Sequence, residues 1–290
     1  MSRAGVPRLC ADGHLPGFRS AFLRFRPRRS TVAGPTLRWL FLGISLLCAC
    51  RAGAAADTGV PVLLYHRFGP VVVDSMTVTT AVAESQLQAI HDRGDVVIAL
   101  RTLVDWKLGR GPEPPANAVV IVADDGHRSV YTDLFPLLRR WRMPVTLFIY
   151  PSAISNASYA MTWEQVREMV DSGLADVQSH TYWHPNFKRD RARMSAVEFD
   201  RSMQLQLVRA RAVLEKRIGR TVDCLAWPFG IFDDDLMRRA AAAGYVAAFT
   251  LERRPVRRAD PMLALPRFLV TDRDRGAAFV RLLDSGRGGK

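Results

Sequence analysis

Val119-Val120-Ile121-Val122-Ala123-Asp124-Asp125-Gly126 reads as a strand that runs directly into a polar turn. Five consecutive apolar residues, four of them β-branched, suit a strand covered on both faces, as in a parallel sheet. Two carboxylates follow at its C-terminal end. Asp-Asp-Gly is also ordinary turn chemistry, since Asp bonds its own backbone and Gly accepts positive φ. A second, weaker run, Ala175-Asp-Val-Gln-Ser179, leads into His180 and His184. In barrels of parallel strands the chemical groups project from the C-terminal strand ends, which is where both polar sets fall.

The histidine spacing of i, i+4 would put both rings on one helical face, as in the metalloprotease pattern His-Glu-x-x-His. Here Thr181 follows His180, so the general-base Glu is missing, and Pro185 steers His184 away from the α region. The pair therefore belongs on a loop leaving a strand. Two imidazoles and one carboxylate would leave positions open for water and substrate, the arrangement of a catalytic metal site rather than a structural one.

Outward from this stretch, apolar runs alternate with helix-like segments. Strand candidates are 60–65, 95–100, 118–123, 145–150, 175–179, 222–226, 245–250 and 265–270. Thr162-x-x-Gln165 is a capping box that opens a helix to about Ser172. A long amphipathic segment runs from Ser195 to Ile218, and Asp233 caps a helix that Gly244 stops. Repeated βα units imply parallel strands with helices outside, hence an open doubly wound sheet or a barrel. Neither Gly-x-Gly-x-x-Gly nor a Walker sequence occurs, which argues against a nucleotide enzyme.

The formal net charge of +13 is unevenly placed: residues 1–56 carry +8 of it and the remainder +5. The body has no basic run interleaved with aromatics, so nucleic acid is not an expected partner. The basic N-terminal stretch precedes Trp39-Leu-Phe-Leu-Gly-Ile-Ser-Leu-Leu47, too short to span a bilayer comfortably, and Ala54-Ala55-Ala56 fits a cleavage site. Residues 1–56 are therefore expected to be an export leader and 57–290 a single domain. Leu47-Cys-Ala-Cys50 is also similar to a lipoprotein box, in which a lipidated Cys50 would anchor the chain to a membrane. Cys10, Cys48 and Cys50 lie in the leader, which leaves Cys224 alone in the body as a small core residue.

Taken together, these motifs resemble those of the polysaccharide deacetylases of the NodB-homology type, carbohydrate esterase family 4, over about residues 60–275. Val122-Ala-Asp-Asp-Gly126 is similar to the family's first motif, and Ser179-His-Thr-Tyr-Trp-His184 to its second. Trp227-Pro-Phe-Gly230 is similar to the third, which lines the substrate groove through Trp227, Pro228, Phe229 and Gly230. The resemblance implies an α/β fold, a distorted (β/α)7-type barrel. It also implies Asp124 as catalytic base, with Asp125, His180 and His184 holding a divalent ion. Zinc is the default, and cobalt, nickel and manganese suit the same ligands.

Two departures stand out. The arginine of the third motif falls at Ala226, and no histidine follows His184 to supply the usual catalytic acid. Pro61-Val-Leu-Leu-Tyr-His66, however, resembles the first strand of a permuted subgroup that includes poly-N-acetylglucosamine deacetylases, which makes His66 the candidate acid. Arg267 is the candidate to replace the lost arginine beside Asp124. Asp260 could orient His66, although a surface position suits it better. Tyr182, Trp183, Trp227 and Phe229 offer flat faces to pyranose rings, with Trp183 and Trp227 expected to be exposed. The implied reaction is hydrolysis of acetyl groups from an acetylated polysaccharide or oligosaccharide by an exported enzyme, periplasmic or associated with the membrane or cell envelope. The rivals are a carbohydrate-binding pseudoenzyme of the same fold and a metal-dependent amidohydrolase of small molecules.

Overall fold

The computed structural model describes residues 59–287. The expected export leader and the lipoprotein-like stretch at Cys50 lie outside the described residues. The described chain contains ten strands: β1 (Val62–Tyr65), β2 (Arg67–Gly69), β3 (Thr77–Thr79), β4 (Val96–Val97), β5 (Ala118–Asp124), β6 (Val145–Ile149), β7 (Ala175–Ser179), β8 (Cys224–Ala226), β9 (Ala247–Phe249) and β10 (Phe268–Leu269). Nine α-helices accompany them: α1 (Thr80–Asp92), α2 (Leu100–Lys107), α3 (Phe135–Trp141), α4 (Trp163–Asp171), α5 (Phe187–Arg193), α6 (Ala196–Met203), α7 (Ala210–Ile218), α8 (Asp234–Ala242) and α9 (Ala277–Asp284).

The main sheet runs β10-β1-β5-β6-β7-β8-β9, with β4 paired to the start of β5, and every pairing in it is parallel. Its two ends approach each other through one segment: Leu265 makes a parallel bridge to Phe249 in β9, and three residues later Phe268 pairs with Leu63 in β1. A single bridge is a thin seam, so the seven-stranded circuit is distorted, as expected from the resemblance. β2 and β3 form a separate parallel pair that the sequence pattern had not indicated.

Strand alternation divides the core in two. Leu63, Tyr65, Val119, Ile121, Ala123, Leu147 and Ile149 pack outward against the helices. Val62, Leu64, Val120, Val122, Phe148, Cys224, Ala226 and Phe249 face inward and fill the barrel, which Leu100, Leu103 and Trp106 of α2 also help to close. Each fully buried Val, Leu or Phe contributes roughly 1.5–3 kcal/mol through burial. Cys224 is one of these small interior residues.

The helix signals in the sequence hold at both capped sites. Thr162 and Gln165 form the capping box of α4, and the Asp233 carboxylate accepts from the Leu236 N–H to start α8. The 195–218 segment differs. It is α6 and α7 joined by a π-helical stretch, Gln204–Arg209. An inserted wide turn leaves the apolar stripe nearly intact, so a 3.6-residue period does not reveal it. Among the described residues no helix is long and apolar enough to cross a membrane.

Candidate active site and metal centre

The inward-facing parity of the strands continues past their C-terminal ends and decides what meets there. Val62 and Leu64 point inward, so His66 does too. Val120 and Val122 lead to Asp124, Phe148 leads to Tyr150, and Gln178, paired with Phe148, leads to His180. Four neighbouring strands thus deliver His66, Asp124, Tyr150 and His180 to one rim. The backbone beyond the strands is unusual. Six described non-glycine residues have positive φ, and four of them lie here: Asp125, Thr181, His184 and Phe229. Such conformations cost of order 1–3 kcal/mol each and persist only where the surrounding structure imposes them. Gly126, at φ 72°, packs so closely that an added Cβ would meet Ile154 Cδ1 at 2.7 Å.

Asp125, His180 and His184 offer ligand atoms all within 4.8 Å of one another. Asp125 Oδ1 lies 3.5 Å from His180 Nε2 and 3.8 Å from His184 Nε2. His180 Nδ1 is 2.8 Å from the Ala226 carbonyl, which can only accept, so Nδ1 carries the proton and the Nε2 lone pair faces the cluster. Burial drives the His180 pKa down to about 3 and lowers that of His184, which keeps both rings in the neutral, ligating form. Asp125 Oδ1 is buried without a hydrogen-bond partner, and burial raises the Asp125 pKa. A buried carboxylate oxygen without a donor, facing two imidazole lone pairs, fits a divalent cation. The same positive charge would hold Asp125 ionised. Among the described residues no other group of three His, Cys, Asp or Glu side chains converges in this way.

Asp124, the neighbouring carboxylate, has a different partner. Its Oδ1 accepts from Arg267 Nη1 at 2.8 Å, and both side chains are buried. Arg267 lies inside the barrel, where its Nε donates to the Thr250 carbonyl at 3.0 Å and its guanidinium lies over the Phe148 ring. Burial alone would raise the Asp124 pKa, but the Arg267 guanidinium, helped by His180 and His66, holds it below the usual carboxylate range. Arg267 thus provides a guanidinium beside Asp124, where Ala226 has none to offer. His66 lines the same cavity, and its Nδ1 is buried without a partner. Burial lowers its pKa despite the pull of Asp124 and Asp125. Asp260 lies elsewhere, its carboxylate held by Arg254 and the Arg257 N–H, and its side chain is largely buried rather than on the open surface expected of it.

The walls differ on the two sides. A cavity of about 300 Å³ takes in His66, Arg67, Met76, Asp124, Asp125, His180, His184, Trp227, Phe229, Leu251 and Leu269, and an adjoining one of about 280 Å³ shares His66, Arg67 and Asp125 and adds His127, Tyr150 and Tyr159. Phe229 is 56 % exposed with its ring 4.5 Å from that of His184, and Trp183 is 44 % exposed. Trp227 corrects the expectation: it is fully buried, its indole Nε1 donates to the Leu263 carbonyl, and its ring packs on Phe187. Ala226 faces inward, so the Trp227 ring packs in the helix layer, and the residue only borders the cavity with its side chain fully buried. Pro228 is buried and Gly230 takes φ 66°, so both shape the turn that displays Phe229. Sequence reading missed Tyr150, Arg67, His127 and Tyr159. Tyr150 directly follows β6 as Asp124 ends β5, and inspecting the end of every strand would have found it.

The family model for polysaccharide deacetylase matches residues 111–248. The Bacillus subtilis protein YxkH is 24 % identical over 225 residues, 78 % of this chain and 76 % of that protein. The poly-beta-1,6-N-acetyl-D-glucosamine N-deacetylase of Staphylococcus epidermidis is 23 % identical over 208 residues, 70 % and 71 % of the two chains. Among solved structures, the Streptococcus pyogenes deacetylase PplD superimposes with a TM-score of 0.70 at 18 % identity, covering 78 % of this chain and 99 % of that one. IcaB from Ammonifex degensii gives 0.68 at 25 % identity, covering 79 % and 97 %. In its three motifs, its parallel curled sheet and its match to the family model over residues 111–248, the chain is similar to the polysaccharide deacetylases.

Proposed function

We propose that this protein is a metal-dependent hydrolase that removes acetyl groups, N-acetyl by preference, from a polysaccharide or oligosaccharide. The observation that carries the reading is the placement of the Asp125, His180 and His184 cluster beside a separate, arginine-held carboxylate. A divalent ion held by those three residues, zinc by default, would polarise the acetyl carbonyl and acidify the attacking water. Asp124 is the general base. It remains ionised at neutral pH, and Arg267 fixes its orientation while leaving Oδ2 to receive the proton of the attacking water. The Phe229 N–H donates to the developing oxyanion. His66, across the cavity, protonates the departing amine. Its lowered pKa makes its protonated form a stronger acid than a free imidazolium. Trp183 and Phe229 present exposed aromatic surface to the sugar.

N-acetyl is carried over from the Staphylococcus epidermidis relative, whose name specifies an N-acetylglucosamine polymer. The two adjoining cavities that meet along His66, Arg67 and Asp125 suit a chain extending to both sides of the reacting residue better than an enclosed small molecule. Arg267 beside Asp124 argues against a pseudoenzyme, because a guanidinium that Ala226 cannot offer comes from the segment leading into β10. The basic and apolar leader supports an exported enzyme, released or membrane-anchored through Cys50. The test is acetate release from acetylated chitin oligomers, poly-N-acetylglucosamine, peptidoglycan and xylan, each with and without chelator. Release that stops with chelator and returns with zinc supports the proposal. Release indifferent to chelator, or none from any of the four, defeats it.

A further inference from the structure

Gln206 is a polar residue on an otherwise apolar stripe of Phe199, Met203, Leu207, Ala210 and Leu214, and it is fully buried. It lies in the π-helical stretch Gln204–Arg209, whose Leu207 carbonyl accepts from the Tyr245 hydroxyl at 3.0 Å. Its side-chain oxygen Oε1 accepts from the Tyr182 N–H at 3.0 Å and from the Trp183 N–H at 3.2 Å. Those two residues lie between His180 and His184. Oε1 must be the atom in this position, because a flipped amide would face both N–H groups with its own donors. The same orientation leaves Nε2 buried without a partner. An unpaired buried donor costs on the order of 1–3 kcal/mol, which an apolar side chain on the stripe would avoid.

We propose that Gln206 is a positioning residue that sets the loop carrying His184 for metal binding, and π-helical stretches are frequent at functional sites. His180 has its own support in the Ala226 carbonyl and the end of β7. His184 hangs on a loop with positive φ at Thr181 and at itself, braced within the loop by the Thr181 hydroxyl, which accepts from the His184 N–H at 3.2 Å. Gln206 pins the middle of that loop to a helix. This inference rests on the proposed metal centre and goes beyond its ligands.

The experiment is zinc competition against a chromophoric chelator, with thermal unfolding of the metal-free protein, on the full chain and three variants. Gln206→Met fills the same volume without an acceptor and should weaken zinc binding by about 10- to 100-fold, the usual effect of losing a partner that orients metal ligands. Gln206→Glu keeps the acceptor and should retain most of the affinity. Leu214→Ala, a core truncation in α7, should lower the melting temperature at least as much as Gln206→Met and leave zinc affinity unchanged. If Gln206→Met does not fold, Gln206→Asn, too short to reach both N–H groups, takes its place with the same expectation. Parent-like affinity in the acceptor-deficient variant, or an equal loss in Leu214→Ala, overturns the inference. An unsubstituted protein that binds no zinc overturns the metal centre itself, and that result is seen before any substitution is made.

Discussion

Replacing Arg267 with Met tests the interior of the site most severely. The guanidinium is fully buried, donates to Asp124 at 2.8 Å and to Thr250 at 3.0 Å, and lies over Phe148. Met has comparable length and no charge, so the substitution strands the Asp124 carboxylate inside the barrel. Removing one partner of a buried pair typically costs about 3–5 kcal/mol. At about 2–4 °C per kcal/mol for a domain of this size, the melting temperature should fall by about 6–20 °C. The pH dependence has a definite sign. In the parent, Asp124 has a folded pKa below its unfolded value, so it contributes stability above the unfolded pKa and loses it as pH falls through the folded one. In Arg267→Met burial loses its main opponent, His180 and His66 alone remaining against it, and the folded pKa rises. Asp124 then favours the folded state only while protonated, and the deficit relative to the parent grows as pH rises toward neutrality. Urea unfolding of the metal-free proteins between pH 4 and 8 measures this, and Asp124→Asn with Arg267→Met completes a double-mutant cycle. The double variant should recover most of the loss, because neither charge is then buried alone. A single-variant cost under about 1 kcal/mol, the value of an exposed pair, or simple additivity in the cycle would refute the reasoning.

Three further outcomes are expected. Gly126→Ala, at φ 72° with Ile154 Cδ1 2.7 Å from the added Cβ, should destabilise by about 1–3 kcal/mol in chemical unfolding and weaken metal binding, because the same turn carries Asp125. Trp183→Ala should raise KM for acetylated oligosaccharides with little change in melting temperature, whereas the buried Trp227→Ala should cost about 3–5 kcal/mol, so similar melting temperatures for the two would contradict their placement. His66→Ala should lower turnover on acetylated sugars by about 10²- to 10⁴-fold and affect aryl acetates less, since their leaving groups need little protonation. In the unsubstituted enzyme the alkaline limb of the pH–rate profile should belong to His66, and an equal loss on both substrates would remove it as the acid.

Much of the fold was legible because parallel strands covered on both sides are written as apolar runs. Ala175–Ser179 is a strand over the expected residues, and 118–123 gains only Asp124. The 95–100 candidate shrank to Val96–Val97, since Leu100 already begins α2. The short β2 and β3 carry too few residues for alternation to show. The grouping of Asp125, His180 and His184 was legible as residue types at strand ends, and Arg267 because the third motif visibly lacked its arginine. Trp227 was misjudged through its place beside a motif, when the parity of Cys224 and Ala226 already turned it away from the cavity. Gln206 was not identified, since its role depends on two backbone N–H groups that meet it only in three dimensions.

The central claim is that adjacent carboxylates have different tasks, Asp125 as a metal ligand and Asp124 as the base beside it. It is tested most directly by measuring zinc stoichiometry and acetate release together on Asp124→Asn and Asp125→Asn. Asn at 124 can still accept from Arg267 but cannot take a proton, so that variant should bind one zinc per chain and release no acetate. Asn at 125 should lose the zinc. Loss of zinc in Asp124→Asn, or turnover that survives it, would contradict the account.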